Sequence, residues 1–270
     1  MSALTLTLKD ARGLRVDCSL LTPDKLAGKS LRDVAALSLQ SGNRKLRVDE
    51  LFALSGDDAS DIVIENSSDK LDYLGARMER GTITINGNTG AYVGLGMKNG
   101  AITVKGNCGM FAAAELTGGM MEIAGNCADF VGGALVGNRT GMAGGTVIVR
   151  GNAGDRAGDH MRRGALLIEG NAGDFCGSRM VAGTIAVLGT VKESAGFAMQ
   201  RGTLLLSSAP KNMLVTFNDC GSHNLGFLPL LIQSWRQIPG RFAKLEVRQR
   251  VRRYMGDLAN LGQGEILIFQ

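Results

Sequence analysis

Between Gly75 and Ser208 the chain alternates apolar and polar residues in short bursts, each bracketed by glycine. In Gly81-Thr82-Ile83-Thr84-Ile85-Asn86-Gly87 the alternation puts Ile83 and Ile85 on one face of a strand and Thr82 and Thr84 on the other. The unit G-x-x-M-x-x-G-x-[IL]-x-[IV]-x-G spans 75–87 and returns at 94–106, 113–125, 139–151, 158–170, 177–189 and 196–208. The apolar pair recurs as Ile102/Val104, Met121/Ile123, Val147/Val149, Leu166/Ile168, Ile185/Val187 and Leu204/Leu206, with a degenerate earlier copy at Ile62/Ile64. The spacing is 19 residues except between the third and fourth copies, where it is 26.

A strand that recurs at this interval, with no room for a helix between copies, stacks in parallel on its own successor at a rise of ~4.8 Å. The predicted fold is all-β: a right-handed parallel β-helix, a solenoid of 19-residue coils over 61–208. An N-terminal cap covers 1–60 and a mixed helical and strand cap covers 209–270, since an open coil must be closed at each end. Leucine-rich repeats need L-x-x-L-x-L-x-x-N, which is absent, and the left-handed hexapeptide helix needs a coil length divisible by six. Within the caps, Leu4–Lys9 and Leu14–Cys18 read as strands, Asp49–Leu54 as a short helix, Leu225–Arg236 as helix-like despite Pro229, Phe242–Leu258 as an amphipathic segment with a helical charged face, and Glu265–Phe269 as a final strand.

The glycines suit corners, where positive φ or close backbone approach excludes a Cβ. Asn88, Asn107, Asn126, Asn152 and Asn171 follow the strand-ending glycines and predict a ladder of side-chain amides. Met78, Met97, Met142, Met161, Met180 and Met199 form a column in which Leu116 also stands, which marks core filler over a soft metal site.

Composition narrows the picture. Of 270 residues 39 are glycine, but there is no three-residue period, and 44% are hydrophobic, which excludes collagen and disorder. The formal charge of +5 comes without a run of basic residues interleaved with aromatics, so nucleic acid is not an expected partner. No stretch approaches the ~18 apolar residues of a membrane span. The opening residues lack the charged and apolar regions of a signal peptide, and five cysteines without a CxxC pair suit a reducing compartment, so a cytoplasmic location is expected.

Candidate chemistry is sparse. His160 sits at a corner in Gly158-Asp159-His160-Met161, and His223 stands alone; neither has an evident nucleophile. Cys108 and Cys127 are one repeat apart in a column otherwise held by Thr89, Ala153, Ala172 and Val191, which favours two reduced core thiols. Asp129, Asp155 and Asp174 could form a carboxylate row, but the 26-residue coil separates the first two, and Arg156 and Arg179 offer ion pairing. No catalytic, cofactor-binding or metal-ligating residue is therefore assigned. The outward strand face runs Thr84, Thr103, Glu122 and then Ile148, Leu167, Ala186, Leu205; that apolar column needs a cover, either a partner subunit or the C-terminal segment. The extra residues within Gly133–Gly144, with Asn138-Arg139-Thr140, read as a loop on a contact face or a passive bulge. Ile148, Leu167, Ala186, Leu205 and Arg139 are the interface candidates.

The repeated unit, together with Tyr254-Met255-Gly256-Asp257-Leu258 and Gly262-Gln263-Gly264-Glu265-Ile266-Leu267, resembles the C-subunit family of formylmethanofuran dehydrogenases. The likeness covers most of the chain beyond residue 60. Ala113 and Arg139 in place of the first glycine, Leu116 in place of Met and Ser208 in place of the last glycine depart from the pattern. Residue usage rich in Ala, Gly, Leu and Arg is most similar to the bacterial formyltransferase/hydrolase version. The resemblance implies a non-catalytic subunit beside three partners: an amidohydrolase-like subunit, a formyltransferase, and one resembling a molybdenum/tungsten subunit. It implies that the partners, not this chain, use a methanofuran-like carrier and tetrahydromethanopterin, converting formyl-tetrahydromethanopterin to formate during formaldehyde oxidation. The corresponding subunit of a formylmethanofuran dehydrogenase and a free-standing β-helix enzyme are the alternatives.

Overall fold

A computed structural model describes residues 2–9, 13–246 and 249–270. The protein is built mainly of strands, thirteen of which join in one sheet. At its centre, Thr82–Gly87, Ala101–Val104, Met120–Ile123, Ala143–Val149, Arg163–Ile168, Thr184–Val187 and Arg201–Leu206 lie side by side in chain order, each pair parallel. Ile83 lies opposite Ile102, Ile102 opposite Met121, and Met121 opposite Val147. One register error would turn every apolar side chain outward, so the alternation itself holds the alignment. The inward residues from Ile62 to Leu206 are buried, and with the methionine column they form one continuous core.

Residues outside the repeats extend this sheet. Ala3–Leu8 pairs in parallel with Asp58–Ser67, setting Leu4 and Leu6 beside Ile62 and Ile64. Gln263–Phe269 pairs in parallel with Arg201–Leu206, setting Ile266 and Ile268 beside Leu204 and Leu206. Each terminal segment thus adds a strand to the stack. Antiparallel strands then finish the sheet: Phe52–Ser55 at one end, Arg250–Gly256 followed by Asn218–Asn224 at the other. Asn218–Asn224 is polar and almost wholly exposed, a poor template for a further strand. A second sheet of Arg44–Arg47, Ser38–Ser41, Val16–Asp17 and Leu71–Asp72 lies in the N-terminal region. There a reciprocal Ser30–Asp33 cap opens the helix Leu31–Ala36.

Three local expectations change. The helix expected over 49–54 is one turn, Val48–Leu51, after which the chain becomes the strand Phe52–Ser55. The segment 242–258 has one 3-10 turn, Phe242–Lys244, and then the strand Arg250–Gly256. Its charges pair across strands, Arg252 with Asp219 and Arg253 with Glu265 at 3.0 Å, instead of along a helix face. Arg248 lies outside the described residues. The corner glycine of the fourth repeat is Gly132 and not Arg139: the Met142 N–H donates to the Gly132 carbonyl at 2.8 Å, as the Met97 N–H does to Gly94 at 3.1 Å. Gly132 keeps the positive φ of 66° that this column shares. The surplus residues therefore lie between the corner and the methionine.

The cover of the outer apolar column is the chain's own. Ile148, Leu167, Ala186 and Leu205 are buried beneath Leu228 and Ile232 of the helix Phe227–Ser234, together with Trp235, Ile238 and Phe242. Trp235 and Phe242 meet edge to face at 5.4 Å. Glu169 fastens the border of this cover: its Oε1 accepts from the Arg241 N–H at 2.7 Å and from the Arg150 guanidinium. Its carbonyl accepts from Arg241 Nη1 at 2.6 Å. We expect Trp235→Ala to destabilise the fold by about 3–5 kcal/mol and to increase binding of an apolar fluorescent dye, read by urea unfolding and dye emission. An unchanged midpoint would show that the cover carries little of the stability.

Candidate functional site

The corners of the repeats are laced by side chains that bond to the next repeat's backbone. The N–H of Asn107 donates to Asn88 Oδ1 at 2.8 Å, and the same bond links Asn126 to Asn107, Asn152 to Asn126, Asn171 to Asn152 and Thr190 to Asn171. The ladder is thus backbone to side chain, not amide to amide. The carboxylate row has the same architecture. Asp155 N–H donates to Asp129 Oδ1 and Asp174 N–H to Asp155 Oδ1, both at 2.8 Å, and Glu193 N–H to Asp174 Oδ1 at 2.9 Å. The longer repeat does not part Asp129 from Asp155, because its extra residues bulge elsewhere. These carboxylates satisfy backbone donors, which is a structural use.

Two further columns hold non-glycine residues in the left-handed region. One is Tyr73, Tyr92, Phe111, Phe130, Arg156, Phe175 and Ser194, with φ from 58° to 64°. Tyr73 stacks on Tyr92 at 4.7 Å, Tyr92 on Phe111 at 5.3 Å and Phe111 on Phe130 at 4.7 Å. Arg156 continues the stack, its guanidinium 5.9 Å from the Phe130 ring and 4.8 Å from Phe175. The same 19-residue interval in the sequence carried this signal, but aromatics scattered among apolar residues hid it. The second column includes Glu115, His160 and Arg179.

These columns and the inserted loop enclose a cleft of about 240 Å³ lined by Phe130, Val136, Arg156, Asp159, His160 and Arg179. Asp159 is buried beneath it and accepts from Ser178 Oγ at 2.5 Å, Arg179 Nε at 3.0 Å and Arg179 Nη2 at 2.6 Å. Arg179 therefore serves Asp159 and not the carboxylate row. Burial lowers the pKa of the His160 ring, with the neighbouring arginines adding to the effect against Asp159. Among the described residues no nucleophile lines this cleft with it, and nearby Ser178 is buried and turned to Asp159. His223 is exposed, its Nε2 2.9 Å from the Cys220 carbonyl.

Cys108 and Cys127 stand on neighbouring repeats as free, buried thiols. Their mutual hydrogen bond and burial push the Cys127 thiol well up, and burial alone pushes Cys176 up to about 12. Among the described residues no three His, Cys, Asp or Glu side chains converge as a metal set would. No described helix is long and apolar enough to cross a membrane. Of the interface candidates, Ile148, Leu167, Ala186 and Leu205 are sealed under the C-terminal segment, which removes them as partner contacts. Arg139 remains exposed on the inserted loop. What the fold presents outward is a long side laced by bonds between repeats.

No family model matches the chain. A chain of the crystal structure of the formyltransferase/hydrolase complex FhcABCD from Methylorubrum extorquens, in complex with methylofuran, superposes with a TM-score of 0.91 at 39% identity, covering 98% of this chain and 99% of that one. The C subunit of the M. extorquens Fhc complex is 39% identical over 86 residues. The C subunit of a tungsten-containing formylmethanofuran dehydrogenase 2 from Methanococcus maripaludis is 33% identical over 92 residues, and a molybdenum-containing counterpart from Methanosarcina barkeri 34% over 95. In sequence, these matches span only about a third of the relatives' length, 32–34%. The whole-chain likeness sets this chain beside components of a formylmethanofuran-related complex. The chain belongs to the family of formylmethanofuran dehydrogenase C subunits.

A thiol reagent at mildly alkaline pH should modify Cys220 alone, the other four thiols being buried; intact-mass measurement reads the single adduct, and a second adduct would contradict this packing. Asp159→Ala should lower stability by about 1–3 kcal/mol, since Ser178 and Arg179 lose their shared acceptor, with urea unfolding as the measure.

Proposed function

We propose that this chain is the non-catalytic scaffold of a formyltransferase/hydrolase complex, its stacked repeats forming a right-handed parallel β-helix. In this reading the complex converts formyl-tetrahydromethanopterin to formate through a formylmethanofuran-type carrier in one-carbon, formaldehyde-oxidising metabolism in the cytoplasm. The chemistry belongs to amidohydrolase-like, formyltransferase and molybdenum/tungsten-subunit-like partners, which handle the carrier and the pterin. The observation that carries the reading is the whole-chain likeness to a component of the FhcABCD structure, 98% of this chain at a TM-score of 0.91. The site agrees with it, because the polar groups at the corners serve the backbone of adjoining repeats.

A second reading, the equivalent component of a molybdenum or tungsten formylmethanofuran dehydrogenase, draws on the relatives at 33–34% identity. The 39% identity to the hydrolase-complex relative favours the first. Native mass spectrometry of the complex purified from its own cells should show this chain with larger subunits. The isolated chain should release no formate from formyl-tetrahydromethanopterin, whereas the complex does. Elemental analysis separates the readings: stoichiometric molybdenum or tungsten would replace the first by the second, and a free chain with turnover of its own would defeat both.

A further inference from the structure

Two asparagines in the chain precede a glycine, Asn86 and Asn99, and the fold holds them differently. Asn86 lies in the strand Thr82–Gly87, and its Nδ2 donates to Glu65 Oε1 at 2.8 Å. Asn99 is exposed at the corner just before the strand Ala101–Val104. Its side-chain amide has no partner among the described residues. Its own N–H reaches only the Met78 carbonyl, at 3.3 Å, which the Lys98 N–H already occupies at 2.8 Å. The Gly100 N–H has no acceptor among the described residues either. The other repeats place Arg80, Gly118, Gly144, Arg163, Ala182 and Arg201 at this position, so Asn99 alone brings a side-chain amide to it.

Asparagine is chemically labile where its amide carbon is open to the backbone nitrogen of the next residue. That nitrogen must be free of hydrogen bonds, and a following glycine removes the Cβ that would block its approach. At this corner the Gly100 nitrogen can attack Asn99 Cγ. A bond from that nitrogen to Cγ forms, the Cγ–Nδ2 bond breaks, and Nδ2 leaves as ammonia with the proton that Gly100 gave up. Water then opens the five-membered succinimide. Cleavage of the new Cγ–N bond gives aspartate. Cleavage of the original peptide C–N bond gives isoaspartate, in which the main chain runs through Cβ and the α-carboxylate is free.

We propose that Asn99-Gly100 is a site of spontaneous deamidation in the folded chain, yielding aspartate and isoaspartate, while Asn86-Gly87 is protected by its bond to Glu65. The inference goes beyond the scaffold reading and does not depend on it. Either product sets a carboxylate beside Lys98, whose Nζ meets Glu79 Oε1 at 2.6 Å. Isoaspartate also lengthens the main chain by a carbon at a close-fitting corner. The Gly100 carbonyl accepts from the Met120 N–H, and the Gly81 carbonyl from the Ala101 N–H, both at 3.0 Å. A Cβ on Gly100 would lie 2.5 Å from the Gly81 oxygen. The modification therefore falls on bonds that join three successive repeats.

The test holds the full chain, folded by circular dichroism, at mildly alkaline pH, where hydroxide draws the proton from the amide nitrogen; a parallel sample is kept unfolded in urea. Peptide fragment mass spectrometry follows the mass gained at each asparagine when NH2 becomes OH. In the folded chain Asn99 is expected to convert about tenfold or more faster than Asn86, the factor that one hydrogen bond to a charged group is worth. In urea the two convert alike. A carboxyl methyltransferase specific for isoaspartyl residues, supplied with labelled S-adenosylmethionine, should label the peptide that contains residue 99. Asn99→Gln should lose both signals, because its longer side chain must close a slower-forming six-membered ring. If the folded chain converts Asn86 as fast as Asn99, or keeps Asn99 intact while the urea sample loses it, the proposal is overturned. A mass gain at Asn99 without the methyl label overturns the succinimide route.

Discussion

Each repeat leaves backbone donors at its corners that only the preceding repeat can satisfy. The bonds from Asn107 to Asn88 and from Asp155 to Asp129 recur with the same length along the stack. A corner residue that shifted by one position would strand a backbone N–H and turn an apolar pair outward together. The sheet register, the asparagine and aspartate rows and the aromatic stack all express that single alignment. It also accounts for polar side chains that look available for chemistry in the sequence but are engaged in the fold.

The stack cannot end by itself, and the chain solves this with segments from outside the repeats. The first strand and the last join the sheet in parallel, and antiparallel strands beyond them carry the edges. The C-terminal segment also lies over Ile148, Leu167, Ala186 and Leu205. Only the earlier half of that face, at Thr84, Thr103 and Glu122, keeps polar or charged side chains. With that face closed, the side chains left projecting from the rigid frame are those of the corners and the inserted loop. This suits a protein whose relatives occur in multi-subunit complexes.

Much of this was legible in the sequence, since periodic alternation is a local property. The all-β class, the parallel pairing of Ile83 with Ile102 and the buried methionine column follow from spacing and polarity alone. The aromatic column was equally periodic at Tyr73, Tyr92, Phe111 and Phe130 and escaped notice among other apolar residues. The sequence also placed the insertion, but by aligning Arg139 with the corner glycines it shifted the start of the fourth repeat. A motif match counts letters, whereas the backbone keeps the position with the hydrogen bond from Met142 to Gly132.

The tertiary structure decided what no periodicity encodes. Residues 250–256 carry a charge pattern that suits a helix, yet the free edge of Gln263–Phe269 makes a strand of them, because unpaired sheet donors outweigh a weak local propensity. Which segment covers the outer apolar column, and that Arg179 turns to buried Asp159 while Arg156 joins the rings, depend on residues brought together from distant parts of the chain. Repetition determined the stack by itself; its ends, its cover and its charged surface arose only when unrepeated segments met it in space.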